Sequence, residues 1–151
     1  MRGALDIFKC RRIIFPVNEG NEHWIMYSVN PRSLQMICFD STHGTISQQR
    51  QDVARYIYTW MLHEHEQRHG IPHAKAKEEW IPKTCVIDGK TKGTSKQGIN
   101  DCGIHVCLVS MLLQRNLPLN VPGKGRSRLA MAGTEIRRRI AITLETGVYM
   151  F

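Results

Sequence analysis

Residues 12–40, RIIFPVNEGNEHWIMYSVNPRSLQMICFD, decide the fold. Three runs inside this stretch, 12–17, 24–29 and 34–39, are short and rich in branched and aromatic side chains, the composition of strands. Asn30-Pro31-Arg32-Ser33 separates the second run from the third. Proline at the second position of that tetrapeptide has the fixed φ that a β-turn needs. If Pro31 and Arg32 are the two loop residues, position 30 faces 33, 29 faces 34 and His23 faces Asp40. Directly opposed side chains of an antiparallel pair have Cβ atoms ~4.5–5.5 Å apart, near enough for a carboxylate to hold one tautomer of an imidazole.

Outward from the hairpin the pattern becomes helical. From Thr45 the stripe Val53, Ile57, Trp60, Met61 recurs at helical spacing, Thr45 and Gln48 are spaced as a capping box, and Gly70 with Pro72 ends the run. Residues Cys102 to Leu113 are apolar nearly all round, which marks a buried helix. A further helix is expected over Thr134 to Leu144, its arginines on the outer side, and a short strand within Trp80 to Ile87. Strands beside a central buried helix and flanking helices give an α+β domain.

The 151 residues suit one domain, and 42% hydrophobic with 23% charged residues is ordinary for a chain that folds around a core. No window reaches the roughly 18 apolar residues that span a bilayer, and Arg2, Asp6 and Lys9 interrupt any leader-like run, so no membrane partner is expected. Five cysteines, Cys10, Cys38, Cys85, Cys102 and Cys107, form an odd and sparse set that fits a reducing nuclear or cytoplasmic setting. The net charge is +8, concentrated late in Arg115, Lys124, Arg126, Arg128 and Arg137 to Arg139. That surface favours an acidic partner, either nucleic acid or protein.

Chemistry concentrates in Gln97-Gly-Ile-Asn-Asp-Cys-Gly-Ile-His-Val-Cys107. Asp101 is a good N-cap residue, so Cys102 falls in the first turn of the buried helix, where unpaired N–H groups and the helix dipole favour a thiolate. Gly103 removes bulk beside the thiol. The N–H of Cys102 can bind an oxyanion, and the amide of Gln97 could be a second donor. Cys107, further along the helix, reads as core, as does Cys38.

Glu22-His23-Trp24, then Phe39-Asp40-Ser41, then a glutamine followed by Asp101-Cys102-Gly103-Ile104, resembles the ubiquitin-like-protein-specific cysteine proteases, the sentrin (SUMO) protease family. The similarity runs from about Asp6 to Leu144 and includes the helix around Glu135-Ile136. It implies a papain-like cysteine protease fold of the adenovirus-protease type, with a short, mostly antiparallel sheet. It also implies one catalytic domain over 1–151, without the family's N-terminal helical part. By the same resemblance Cys102 is the nucleophile, His23 the general base and acid, Asp40 the orienting group and Gln97 the oxyanion donor. Trp24 lines the tunnel that admits a diglycine tail. Gln97 lies one residue nearer the cysteine than the family's glutamine, whose usual offset is held here by Lys96. The implied activity is cleavage after the diglycine of a SUMO-like modifier, for precursor processing or deconjugation, with the modifier and its conjugates as partners and no cofactor.

Other readings compete. His65-Glu66-Gln67-Arg68-His69 spells the H-E-x-x-H zinc motif, but Gly70 and Pro72 end the helix at once, and the histidines fall among Glu64, Gln67 and Arg68 on a polar flank. His105 lies three residues after Cys102 and could serve as base, yet no carboxylate near it in sequence would orient it. His43 and His73 read as loop histidines. A catalytically inactive, protease-like module that binds a modifier or nucleic acid is the non-enzyme alternative.

Overall fold

The computed structural model describes residues 6–41, 47–78, 85–87, 101–117 and 133–148. After a short 3-10 turn at Ile7–Lys9, strands β1 (Ile13–Glu19), β2 (His23–Val29) and β3 (Met36–Phe39) form an antiparallel meander, and β4 (Cys85–Ile87) joins β3 in parallel. Three helices complete the order: α1 (Gln48–His69) between β3 and β4, then α2 (Cys102–Gln114) and α3 (Gly133–Thr146). The architecture is the α+β arrangement expected, with one parallel pair at its edge. No helix among the described residues is long and apolar enough to cross a membrane.

The sheet separates two apolar clusters. Ile25, Tyr27, Val29, Met36 and Cys38 point to one face and pack against Ala54, Ile57, Tyr58 and Met61 of α1. Met26 and Phe39 point to the other and meet Leu108, Val109 and Leu112 of α2 with Ile136 of α3. Alternation along β2 and β3 explains the division, because successive side chains leave opposite sides of a strand. A strand covered on both faces loses its polar positions, and β2 reads accordingly as nearly continuous apolar sequence.

The hairpin register differs from the expected one. Val29 pairs with Met36 and Met26 with Phe39, so four residues, Pro31 to Leu34, form the loop instead of two. Asn30 explains the change. Its Oδ1 accepts from the N–H groups of Arg32 and Ser33 at 2.9 and 3.3 Å, and its carbonyl accepts from Leu34 N–H at 2.8 Å. Leu34 takes a left-handed φ of 53° with its side chain buried in the α1-side cluster, so this residue belongs to the loop and not to the third strand. A non-glycine residue in that conformation costs roughly 1 kcal/mol, and burial of the leucyl side chain offsets it.

Helix α1 is capped by Ser47, whose Oγ accepts from Arg50 N–H at 3.3 Å; the expected capping residue Thr45 lies outside the described residues. Gly70 ends the helix in a left-handed conformation, as the sequence indicates. The buried stripe is Arg50, Ala54, Ile57, Tyr58 and Met61. Trp60 sits at its margin, edge-on to Phe15 with ring centroids 5.9 Å apart, and is more exposed than its place in the expected stripe implies.

Candidate active site

His23 opens β2 and Asp40 follows β3, so both lie at one end of the sheet. The register shift moves Asp40 two places from direct opposition, which preserves its face, since side chains alternate with a period of two. A diagonal neighbour is still within reach of a long side chain. The imidazole spans the gap: His23 Nε2 lies 2.8 Å from Asp40 Oδ1, the ring N–H donating to the carboxylate. With Nε2 carrying the proton, the lone pair of the neutral ring is on Nδ1. The side chain of Asp40 is wholly buried, and that of His23 is mostly so.

Trp24 points to the opposite face of the sheet, toward α2. Its ring lies against Gly103, where an added Cβ would come within 3.5 Å of Trp24 Cδ1. This contact brings the first turn of α2, beginning at Cys102, to the sheet end that carries His23. Cys102 is buried.

The start of α2 is built differently from the expectation. Asp101 has an α-region conformation and makes no capping hydrogen bond through its side chain. Its carboxylate turns instead to α3, where Asp101 Oδ1 pairs with Arg137 Nη1 at 2.6 Å. Gly133 leaves room for it, since a Cβ there would collide with the carboxylate. The helix dipole still acts at Cys102, because Asp101 only contributes its carbonyl to the first helical bond, accepted from His105 N–H at 3.0 Å.

His105, the alternative base, is buried in α2. Burial lowers its proton affinity below the ordinary histidine value, against the opposing pull of Asp101. Gln97 and Lys96 lie outside the described residues, as does His43. Cys38 is buried, as read, but Cys107 is exposed. Among the described residues α2 packs against the sheet and α3 through Leu108, Val109 and Leu112, and Cys107 is not part of that packing.

His65 and His69 do not stand on an empty polar flank. Their ring centroids are 4.6 Å apart and both present to Phe8, at 4.8 and 5.6 Å, in edge-on contacts. His65 Nδ1 is 3.1 Å from the carbonyl of Ile71. Among the described residues no group of three or more histidines, cysteines or acids is placed to hold a metal ion. His73 is buried and fully engaged: its Nε2–H donates to the carbonyl of Pro31 at 3.1 Å while its Nδ1 accepts from Lys75 N–H at 3.0 Å. It therefore fixes the segment after α1 to the hairpin loop, a role its loop-like sequence setting did not reveal.

One residue of this region escaped the sequence reading. Arg50 is buried at the start of α1, with Nη1 on Asp40 Oδ2 and with Nε and Nη2 on the two oxygens of Glu19, at 2.8 and 2.6 Å. The signal was present: positions 50, 54, 57 and 61 are spaced as one helical stripe, and an arginine in phase with Ala54, Ile57 and Met61 has to be buried with a partner.

Residues 2–122 match the Ulp1 protease family, C-terminal catalytic domain. A solved structure described as the SUMO protease Ulp1 with the catalytic cysteine oxidized to a sulfonic acid is similar in fold, with a TM-score of 0.58 and 20% sequence identity. The alignment covers 97% of this chain and 58% of that one, so the chain spans little more than half the length of the structure it resembles. No curated protein matches the sequence. With an Ulp1-like α+β fold and most of its length within the family's catalytic region, the chain belongs to the Ulp1 protease family, a family of cysteine proteases.

Proposed function

We propose that the chain is a cysteine peptidase that cleaves after the C-terminal diglycine of a SUMO-like modifier, in precursor processing or in release of conjugates. The observation that carries the reading is the His23–Asp40 pair at 2.8 Å, held at the sheet end to which Trp24 and Gly103 bring the start of α2. In this reading Nδ1 of His23 takes the proton of Cys102, and the thiolate attacks the carbonyl carbon of the terminal glycine. The oxyanion is met by the N–H of Cys102 and by the side chain of Gln97. Collapse of the tetrahedral intermediate breaks the C–N bond, and His23 returns its proton to the departing amine. A thioester remains, and water activated by His23 hydrolyses it to restore the thiol. Trp24 offers a flat wall that residues without a Cβ can lie against, which selects glycine.

A single catalytic domain accounts for the whole chain in this reading, and the positive charge of its later sequence suits an acidic protein partner. The test is a SUMO-like modifier ending in an electrophilic vinyl sulfone, followed by peptide mass mapping. The expected adduct is at Cys102 alone, with the exposed Cys107 left unmodified. Cys102→Ser should abolish both the adduct and the release of a fluorophore from the modifier's C-terminus. An adduct at Cys107 or Cys10 would remove Cys102 from the chemistry. Tight binding of the modifier with no adduct would make the chain a binding module.

A further inference from the structure

We propose that Arg50 is a positioning residue for this reaction, fixing the carboxylate that orients His23. The inference rests on the Cys102–His23–Asp40 reading above. Each oxygen of the buried Asp40 carboxylate has its own partner, Oδ1 with His23 Nε2 and Oδ2 with Arg50 Nη1. Rotation of the carboxylate therefore breaks one bond or the other. Four elements supply the assembly: Glu19 from β1, His23 from β2, Asp40 after β3 and Arg50 from α1. Glu19 and His23 are direct partners in the β1–β2 ladder, so the same strand pairing that places the base also places the group that anchors the arginine.

The guanidinium is held on every side. Glu19 takes Nε and Nη2 as a fork, which fixes the guanidinium plane and leaves Nη1 aimed at Asp40. The backbone of Arg50 is fixed as well, its N–H by Ser47 Oγ and its carbonyl by the hydroxyl of Tyr27 at 2.9 Å. The hydrogen bonds of Glu19, and then those of Asp40, raise the proton affinity of Arg50 further above its already high value, against the opposing effect of burial.

A general base spends most of its cycle neutral. During that time the imidazole is no counter-charge for the buried carboxylate, and a buried uncompensated charge takes up a proton. A protonated Asp40 would no longer define the Nε2–H tautomer of His23. Arg50 supplies a charge that does not titrate. Glu19, Arg50 and Asp40 together carry one negative charge, so the imidazolium formed during turnover still meets a net opposite charge.

The charged groups tied to the pair among the described residues include Arg50 on α1 and, through it, Glu19 on β1. Charge variants of these two separate positioning from mere support. Arg50→Gln should lower kcat about 10²-fold with little change in KM. It should also move the acid limb of the kcat profile upward by about one pH unit, because removing a positive charge makes the coupled His23–Asp40 pair bind its first proton more readily, whichever group takes it. Glu19→Gln removes a negative charge and should move the limb the opposite way. Arg50→Lys should restore the limb but only part of kcat, since an ammonium cannot hold both carboxylates in one plane. Circular dichroism at the assay temperature gives the folded fraction of each variant. If Arg50→Gln does not fold, Glu19→Gln still decides the matter.

A role confined to stability would lower the melting temperature and leave the limb in place in both charge variants, and that result overturns the proposal. An active parent inactivated by Asp40→Asn, beside charge variants with unmoved limbs, rejects Arg50 alone. A parent without turnover rejects the protease reading and the role of Arg50 with it.

Discussion

The two ends of α1 meet histidines in different settings: a buried carboxylate at the start and, at the end, backbone groups, the ring of Phe8 and the more exposed Asp6, 3.6 Å from His69. At its start, Arg50 and Asp40 give His23 a buried charged partner on one nitrogen. Near its end, His65, His69 and His73 gather around the ring of Phe8, and His73 has neutral backbone partners on both nitrogens. Burial pushes the proton affinity of His73 down, with the carbonyl of Pro31 opposing it. An imidazole satisfied by backbone on both sides is a fixed structural strut. One whose Nε2–H is given to a carboxylate has a defined tautomer, with Nδ1 left as the acceptor.

Neutralising the charged end should have the largest effect. Asp40→Asn is expected to retain the fold and lose turnover by ~10⁴-fold, as when the orienting carboxylate of a serine-protease triad is neutralised. Fluorogenic assay of the variant beside its circular dichroism spectrum checks this. Near-normal rates would reduce the Arg50–Asp40–Glu19 group to a structural tie and erase the contrast between the ends.

The neutral histidines should appear in stability instead. His73 and His105 both have a lowered proton affinity through burial, so below about pH 6.5 the unfolded chain takes up protons that the folded chain refuses. Their neutral burial contributes fully above that pH and its benefit is lost as the pH falls below it. For each group, every pH unit over which only the unfolded chain is protonated costs about 1.4 kcal/mol. Urea unfolding at pH 7.5 and 5.5 should show a loss that His73→Gln reduces. A parent equally stable at both values would mean that these histidines are not held neutral.

The smallest effect is expected at the Phe8 cluster. His65→Ala removes an edge-on ring contact and should cost about 1 kcal/mol, with thermal unfolding unchanged by a chelator in parent and variant alike. A melting temperature that drops on chelation in the parent only would replace the aromatic packing by a bound metal, and make this end a chemical site after all.

The strands, three helices and the meeting of His23 with Asp40 were legible because periodicity and turn residues report on local geometry. The register was less so. Pro31 suggested a two-residue loop, whereas the Asn30 side chain and the burial of Leu34 selected four, a tertiary preference overriding local turn chemistry. Because the slip was an even number of residues, the face of Asp40 survived the error. The exposure of Cys107 and the turn of Asp101 toward Arg137 were not legible from α2 alone, since both depend on where α3 packs. Arg50 was overlooked because its significance lies in two acids distant in sequence, Glu19 and Asp40, which only the folded sheet brings to it.

The pairing of Asp101 with Arg137, beside the bare α-carbon of Gly133, also makes the two halves of the candidate site unequal in what they depend on. The meander and α1, with Glu19, His23, Asp40 and Arg50, all lie within residues 13–69 and pack on one another. The turn that begins at Cys102 is tied, through Asp101, to a residue 36 positions further along the chain. A change in α3 should therefore reach the start of α2 through Arg137 and leave the His23–Asp40 pair in place.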